Sequence, residues 1–177
     1  MASHQTSAVL ATTATGRRQF SVRPLGPGDR EAVAALFARL STESRRMRFL
    51  SPKLELSERE LTYLTDVDHV SHEALGAIAA SDGSLVGVAR YAQWPDQAGV
   101  ADVAIEVADD LHRKGIGLML AEALVRRAHE NRLTLLTATT LWQNGAARAL
   151  ARRVGLLARA TRGPEIELEL YLPRPPG

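Results

Sequence analysis

Two periodicities alternate along the chain. Phe20-Ser21-Val22-Arg23 alternates apolar and polar positions like a half-buried strand, and Pro24 with Gly26-Pro27-Gly28 punctuates the turn behind it. Asp29 then stands where a helix N-cap belongs, ahead of Val33, Leu36, Phe37 and Leu40, whose three- and four-residue spacing makes one apolar helical face. Ser57 and Glu60 have capping-box spacing, which predicts a short helix over 58–64 with Leu61 and Leu64 turned inward. Residues 73–80 and 85–93 are β-type runs joined at Asp82-Gly83, a pair that tolerates positive φ and therefore predicts an antiparallel hairpin. A further strand is expected over 100–107, where Val103, Ile105 and Val107 alternate with Asp102, Ala104 and Glu106. From Gly115 the period changes: Ile116, Met119, Leu120, Ala123, Leu124 and Ala128 predict a long helix to about Asn131. Residues 133–140 read as a buried strand, 146–153 as a helix and 166–172 as a last strand.

That order predicts an α+β fold, a mixed, largely antiparallel sheet of about six to seven strands flanked by about four helices, with one parallel crossover in its middle. The 177 residues suffice for one domain with its own core, expected over 19–173, and the Ser-, Thr- and Ala-rich residues 1–18 are expected to be a disordered tail without a signal-peptide core. No apolar run approaches the roughly eighteen residues of a membrane span. Cysteine is absent, which excludes disulfides and thiolate chemistry and fits the cytoplasm. The formal charge is only +2 and the basic residues are interspersed with acids, so neither nucleic acid nor membrane is an expected partner. The densest basic cluster, Arg45-Arg46-Met47-Arg48, is expected to be a solvated helix face. His69, His72, His112 and His129 lack ligand spacing, and no metal is expected.

Chemistry concentrates where the 100–107 strand runs through His112-Arg113-Lys114-Gly115-Ile116-Gly117-Leu118 into the long helix. N–H groups in a first helical turn have no internal acceptors and sit at the positive end of the helix dipole, so they suit a phosphate, and glycine permits close approach. The alternative is that the glycines merely allow tight strand-to-helix packing. The stretch lacks the third glycine and distant acid of a dinucleotide fingerprint, and the Gly-Lys-Ser/Thr of a P-loop.

His112-Arg113-Lys114-Gly115-Ile116-Gly117 resembles the Gln/Arg-x-x-Gly-x-Gly/Ala loop of the GNAT N-acetyltransferases, with His112 in place of Gln or Arg. Asn144-Gly145-Ala146-Ala147-Arg148-Ala149-Leu150, ahead of Gly155-Leu156, resembles that family's second motif, and the likeness spans 20–172. The resemblance implies acetyl-CoA as co-substrate, with Ile105 and Val107 supplying backbone contacts and Arg113, Lys114, Gly115, Ile116, Gly117 and Leu118 around its pyrophosphate. It gives Asn144 a cofactor contact, while an Asn at that place also suits a helix N-cap.

The implied reaction is direct attack of a primary amine on the thioester. Glu106 is the candidate base, because it faces away from the apolar positions of its strand; the alternative is a solvated strand glutamate. Many members place a tyrosine after the motif's leucine to protonate the thiolate, but Ala151 stands there. Residues 40–49 resemble the bacterial protein-lysine acetyltransferase branch, which implies a protein lysine as acceptor and places Glu43, Arg45, Arg46 and Arg48 beside it. Small amines (polyamine, amino acid or antibiotic) are the alternative acceptors, and a non-catalytic acyl-CoA-binding sensor is the alternative from another class. A monomer or homodimer is expected.

Overall fold

A computed structural model describes residues 11–15 and 18–173, with side chains from Gln19 onward. Eight strands form one sheet in the order β1-β2-β3-β4-β5-β6-β8-β7, and β5 with β6 is its parallel pair. The strands are β1 (Ala11–Thr15), β2 (Arg18–Pro24), β3 (His72–Ala79), β4 (Leu85–Gln93), β5 (Val100–Val107), β6 (Leu135–Leu141), β7 (Leu157–Arg162) and β8 (Glu165–Tyr171). The helices are α1 (Arg30–Arg39), α2 (Thr42–Phe49), α3 (Glu58–Thr65), α4 (Ile116–Glu130) and α5 (Gly145–Arg153), with 3-10 turns at Pro27–Asp29 and Asp109–Leu111.

Strand alternation assigns the helices to faces. Tyr91 of β4 donates its hydroxyl to the Val70 carbonyl and receives the Asn131 side-chain amide at the end of α4, and Gly87 lies against Leu120 of α4. Arg90, on the opposite face, donates to the Leu64 carbonyl of α3. The main core lies between sheet and α4, where Ile116, Leu120 and Leu124 are at most 2% exposed; each such side chain contributes roughly 1.5–3 kcal/mol on leaving water. Ala151, Leu156, Ile166 and Leu168 form a second cluster under α5. Buried Glu73 accepts from Arg127 Nε at 2.7 Å and meets His69 Nδ1 at 2.6 Å, which fixes the far end of α4 to β3.

Three expectations are corrected. Ala11–Thr15 pairs antiparallel with β2 where a tail is expected; the rest of that tail, residues 1–10, 16 and 17, lies outside the described residues. The sheet thereby numbers eight strands among the described residues, β7 included, and α2 carries the helix face expected at Arg45-Arg46-Met47-Arg48. Asp29 does not cap α1: a 3-10 turn precedes the helix, and the carboxylate instead grips Arg23 at 2.6 and 3.0 Å and accepts from the Gly26 amide. The basic cluster is not uniformly solvated, because Arg48 turns inward with 17% of its side chain exposed.

Candidate active site

The parallel ladder between β5 and β6 covers only three pairs, Val100↔Leu135, Ala101↔Leu136 and Asp102↔Thr137. Beyond Asp102 β5 continues to Val107 and β6 to Leu141, so the sheet splays open between them. The Ala108 amide donates to Val86 of β4 and the Val100 carbonyl accepts from Trp94, so the even residues of β5 turn their backbone groups toward β4. The odd ones, Ile105 and Val107 among them, turn theirs toward the opening. The Val107 carbonyl already meets His112 Nε2 at 2.9 Å. His112 therefore folds back over the end of its own strand.

The turn after β5 carries Arg113 and Gly115 at left-handed φ values of 61° and 81°. Gly115 is the N-cap of α4; no side chain caps it and no acid occupies the first turn. The contrast with the neighbouring helices is direct, since Ser41 caps α2, Ser57 caps α3 and Asn144 caps α5. The amides of Ile116, Gly117 and Leu118 are thus presented at the mouth of the opening without a side-chain acceptor. A Cβ on Gly117 would point at Leu150 Cδ2 at 3.5 Å and Val107 Cγ2 at 3.9 Å, between α5 and β5. Together these leave the first-turn amides of α4 without a side-chain acceptor at the end of β5, a donor set that fits a pyrophosphate.

Asn144 Oδ1 accepts from the Ala147 amide at 3.0 Å, so its oxygen serves the cap of α5 and only its NH2 group is left for a ligand. Asn144→Ala is expected to lower stability by about 1 kcal/mol and Asn144→Asp to retain it, read by thermal melting. Ala151 is 7% exposed within the second cluster and offers no hydroxyl to the opening.

Glu106 lies on the opposite face of β5 from Ile105 and Val107, 12% exposed, with Oε2 3.2 Å from Arg48 Nε. The approach is not aligned as a hydrogen bond, and both buried atoms retain unused hydrogen-bonding capacity. Arg48 reaches this point because Asp109, in the turn behind β5, holds the start of α2. Asp109 accepts from the Ser41 amide at 2.7 Å and from the Ser44 hydroxyl at 2.5 Å. The helix mouth and the residues facing Glu106 are positioned by the same turn.

Beside this pair lies a pocket of about 270 Å³ between α2, α3 and the sheet, lined by Arg48, Phe49, Tyr63, His72, Arg90 and Asp102 among others. Desolvation by the surrounding protein pushes the Asp102 carboxyl up although the residue is partly open to solvent, and Thr137 Oγ1 donates to it at 3.1 Å. Burial, reinforced by Arg48, pulls the Arg90 guanidinium down to about 10. His72 packs on Tyr63 with ring centroids 4.7 Å apart, and burial, then Arg90, pulls its imidazole down to about 4.

The His72 shift has a definite sign. An unfolded chain takes up this proton near the usual histidine value and the folded one only near pH 4, so stability is full above about pH 6.5 and falls as the pH drops toward 4. His72→Asn is expected to flatten that acid loss by on the order of 1 kcal/mol, solvent screening at a half-buried ring included, read as melting temperature against pH. Arg90 and Asp102 are pocket residues that the sequence reading misses. For Arg90 a signal exists, one charge inside the otherwise apolar run 85–92.

Comparison with known proteins agrees with this geometry. The model of the acetyltransferase (GNAT) family matches residues 37–156. An acetyltransferase of Pseudomonas aeruginosa is 31% identical over 144 residues, covering 80% of this chain and 77% of its own length. Acetyltransferase Pat of Mycolicibacterium smegmatis is 31% identical over 136 residues, 77% of this chain, though the match spans only 40% of Pat. Among solved structures, the GNAT domain of S. lividans PAT superposes with a TM-score of 0.83 at 24% identity, covering 92% of this chain and 96% of that one. With the splayed β5/β6 pair and the uncapped mouth of α4 in place, the chain belongs to the GNAT acetyltransferase family.

Proposed function

We propose that this acetyltransferase moves the acetyl group of acetyl-CoA to a primary amine by direct attack, with Glu106 as the base. The observation that carries the reading is the uncapped first turn of α4 at the open end of β5, which supplies donors for a pyrophosphate. His112, Arg113, Lys114, Gly115, Ile116, Gly117 and Leu118 surround that anion. The N–H groups of Ile105 and Val107 hydrogen-bond the pantetheine arm and the developing oxyanion, and the Asn144 amide meets the cofactor.

In the reaction the ammonium gives its proton to Glu106, directly or through one water, and the free amine attacks the thioester carbon. A C–N bond forms, the C–S bond breaks, the thiolate leaves, and the acylated nitrogen gives up its second proton to solvent. With Ala151 in place of a hydroxyl, that thiolate takes its proton from solvent, which a thiol of ordinary pKa near about 8.5 permits.

The first acceptor we assign is a protein lysine, on the likeness of residues 40–49 to the protein-lysine acetyltransferase branch and on the relationship to Pat. A small amine is the second reading, favoured by the pocket of about 270 Å³, which has room for an amino-acid-sized molecule. Cytoplasmic residence accompanies both, on the absence of cysteine; among the described residues no helix is long and apolar enough to cross a membrane.

The test is calorimetric titration with acetyl-CoA, followed by thiol release against lysine proteins, lysine peptides and small amines. Turnover confined to small amines removes the lysine reading. Tight binding with no thiol release for any amine leaves a non-catalytic acyl-CoA sensor.

A further inference from the structure

We propose that the pocket around Arg90 receives a carboxylate of the acceptor, so that preferred acceptors are primary amines carrying an acidic group close to the reacting nitrogen. The inference rests on the acetyltransferase reading and names the chemistry of its acceptor.

Arg90 is the observation that demands an explanation. It sits in a central strand, 6% exposed, and among the described residues it makes no ion pair. Its Nη2 donates to the Leu64 carbonyl at 2.8 Å, its guanidinium carbon lies 5.7 Å from the centre of the Tyr63 ring, and its Nε is buried with no hydrogen-bond partner. Burying a guanidinium without a carboxylate is costly, and an apolar side chain would serve packing better at a position whose same-face neighbours are Val86 and Val88. The cost is explained if the partner arrives with the substrate.

The rest of the pocket is arranged to match. Arg48 adds a second guanidinium whose Nε, though 3.2 Å from Glu106, is not engaged in a hydrogen bond. Glu60, the acid on the α3 side, is already held by Lys53 at 2.5 Å and does not compensate Arg90. The remaining carboxylates, Asp102 and Glu106, both project from β5 on this face, Asp102 at the root of the splay. The pocket is therefore bipolar, with a guanidinium on β4 that no carboxylate touches, Glu106 acting on it only through space, and acid on β5. An ammonium at the β5 end and a carboxylate at the β4 end satisfy both. Guanidinium is the group whose planar fork binds a carboxylate with two parallel hydrogen bonds.

The same carboxylate has two sources, a free amino acid or an acidic residue flanking a lysine, and the experiment separates them. Thiol release is measured for free amino acids against their amides, and for N-blocked lysine peptides with Glu against Gln flanks. The acid form is expected to exceed its neutral partner by about 10- to 100-fold in kcat/KM, mostly through KM. The arm that shows the difference names the source. In Arg90→Met the ratio is expected to fall to about one, in protein that retains wild-type melting and acetyl-CoA affinity.

Equal use of acid and neutral forms in both arms, or a preference that survives in folded Arg90→Met, overturns the proposal. If Arg90→Met does not fold, Arg90→Lys decides: a severalfold smaller preference supports the subsite and an unchanged one overturns it. If no amine turns over, the acetyltransfer reading falls and direct calorimetry of an amino acid against its amide judges the subsite alone. Tighter binding of the acid sustains it, and equal binding overturns it.

Discussion

Gly117→Asp is expected to cost at least about 100-fold in acetyl-CoA affinity while leaving the fold as stable as the wild type, or slightly more so. The two halves have separate physical origins. Gly117 is the second residue of α4, where an acid faces the positive end of the helix dipole and is worth about 0.3–1 kcal/mol, and where glycine is the weaker helix former by up to about 1 kcal/mol. A Cβ there meets Leu150 at 3.5 Å, an ordinary contact, so the first side-chain atom enters without strain. The melting temperature should stay or rise by about 2–4 °C, the shift that roughly 1 kcal/mol gives in a chain of this size.

The same carboxylate projects between Leu150 and Val107 into the mouth of the opening and sets a negative charge against a pyrophosphate. Binding is lost because the site already holds an anion of its own. Gly117→Ala separates charge from bulk and should cost much less. Retention of affinity within about fivefold in Gly117→Asp, measured by calorimetry with melting as the control, would remove the phosphate cradle from this turn, since 100-fold corresponds to only about 2.7 kcal/mol.

The strands and helices that pack on α4 are legible in the sequence because their burial is one-sided. Ile116, Met119, Leu120 and Leu124 repeat at helical spacing and are buried together, and Val103, Ile105 and Val107 alternate as they do in β5. Helix α2 is not legible in the same way. It has no fully buried residue, and its cap Ser41, its anchor Asp109 and its inward Arg48 are polar residues whose partners lie far away in the chain. The proposed cradle is visible as glycines before a helix, but the lack of both a side-chain cap and an acid in its first turn appears only in the structure, beside the capped α2, α3 and α5 and the uncapped α1 with Glu31 in its first turn. Arg90 is written plainly inside an apolar run, yet a charge in a strand announces either an edge or a buried site, and only the sheet order, with β4 between β3 and β5, decides. Periodicity records which face is buried and carries no information about which polar groups meet across it.

Glu106→Gln is expected to lower kcat by about 10²- to 10⁴-fold, the usual worth of a positioned base, with the acetyl-CoA dissociation constant unchanged. Glutamine keeps the side chain's shape beside Arg48, whereas alanine would leave Arg48 facing a void and confound chemistry with folding. The decisive comparison is Asp102→Asn. Asp102 projects from the same face of β5, four residues earlier, and desolvation by the surrounding protein pushes its carboxyl up, in the direction that makes a carboxylate a better proton acceptor. Glu106 instead lies with its Oε2 3.2 Å from Arg48 Nε. Its place nearer the helix mouth, where β5 and β6 no longer pair, is what assigns it the amine. If Glu106→Gln retains kcat and Asp102→Asn loses it, proton transfer occurs at the root of the splay, and the ion pair with Arg48 serves to orient the acceptor. If only Glu106→Gln is slow, Arg48 must release the carboxylate when the acceptor enters, and Arg48→Lys, which keeps the charge but loses the planar fork, should then alter KM more than kcat.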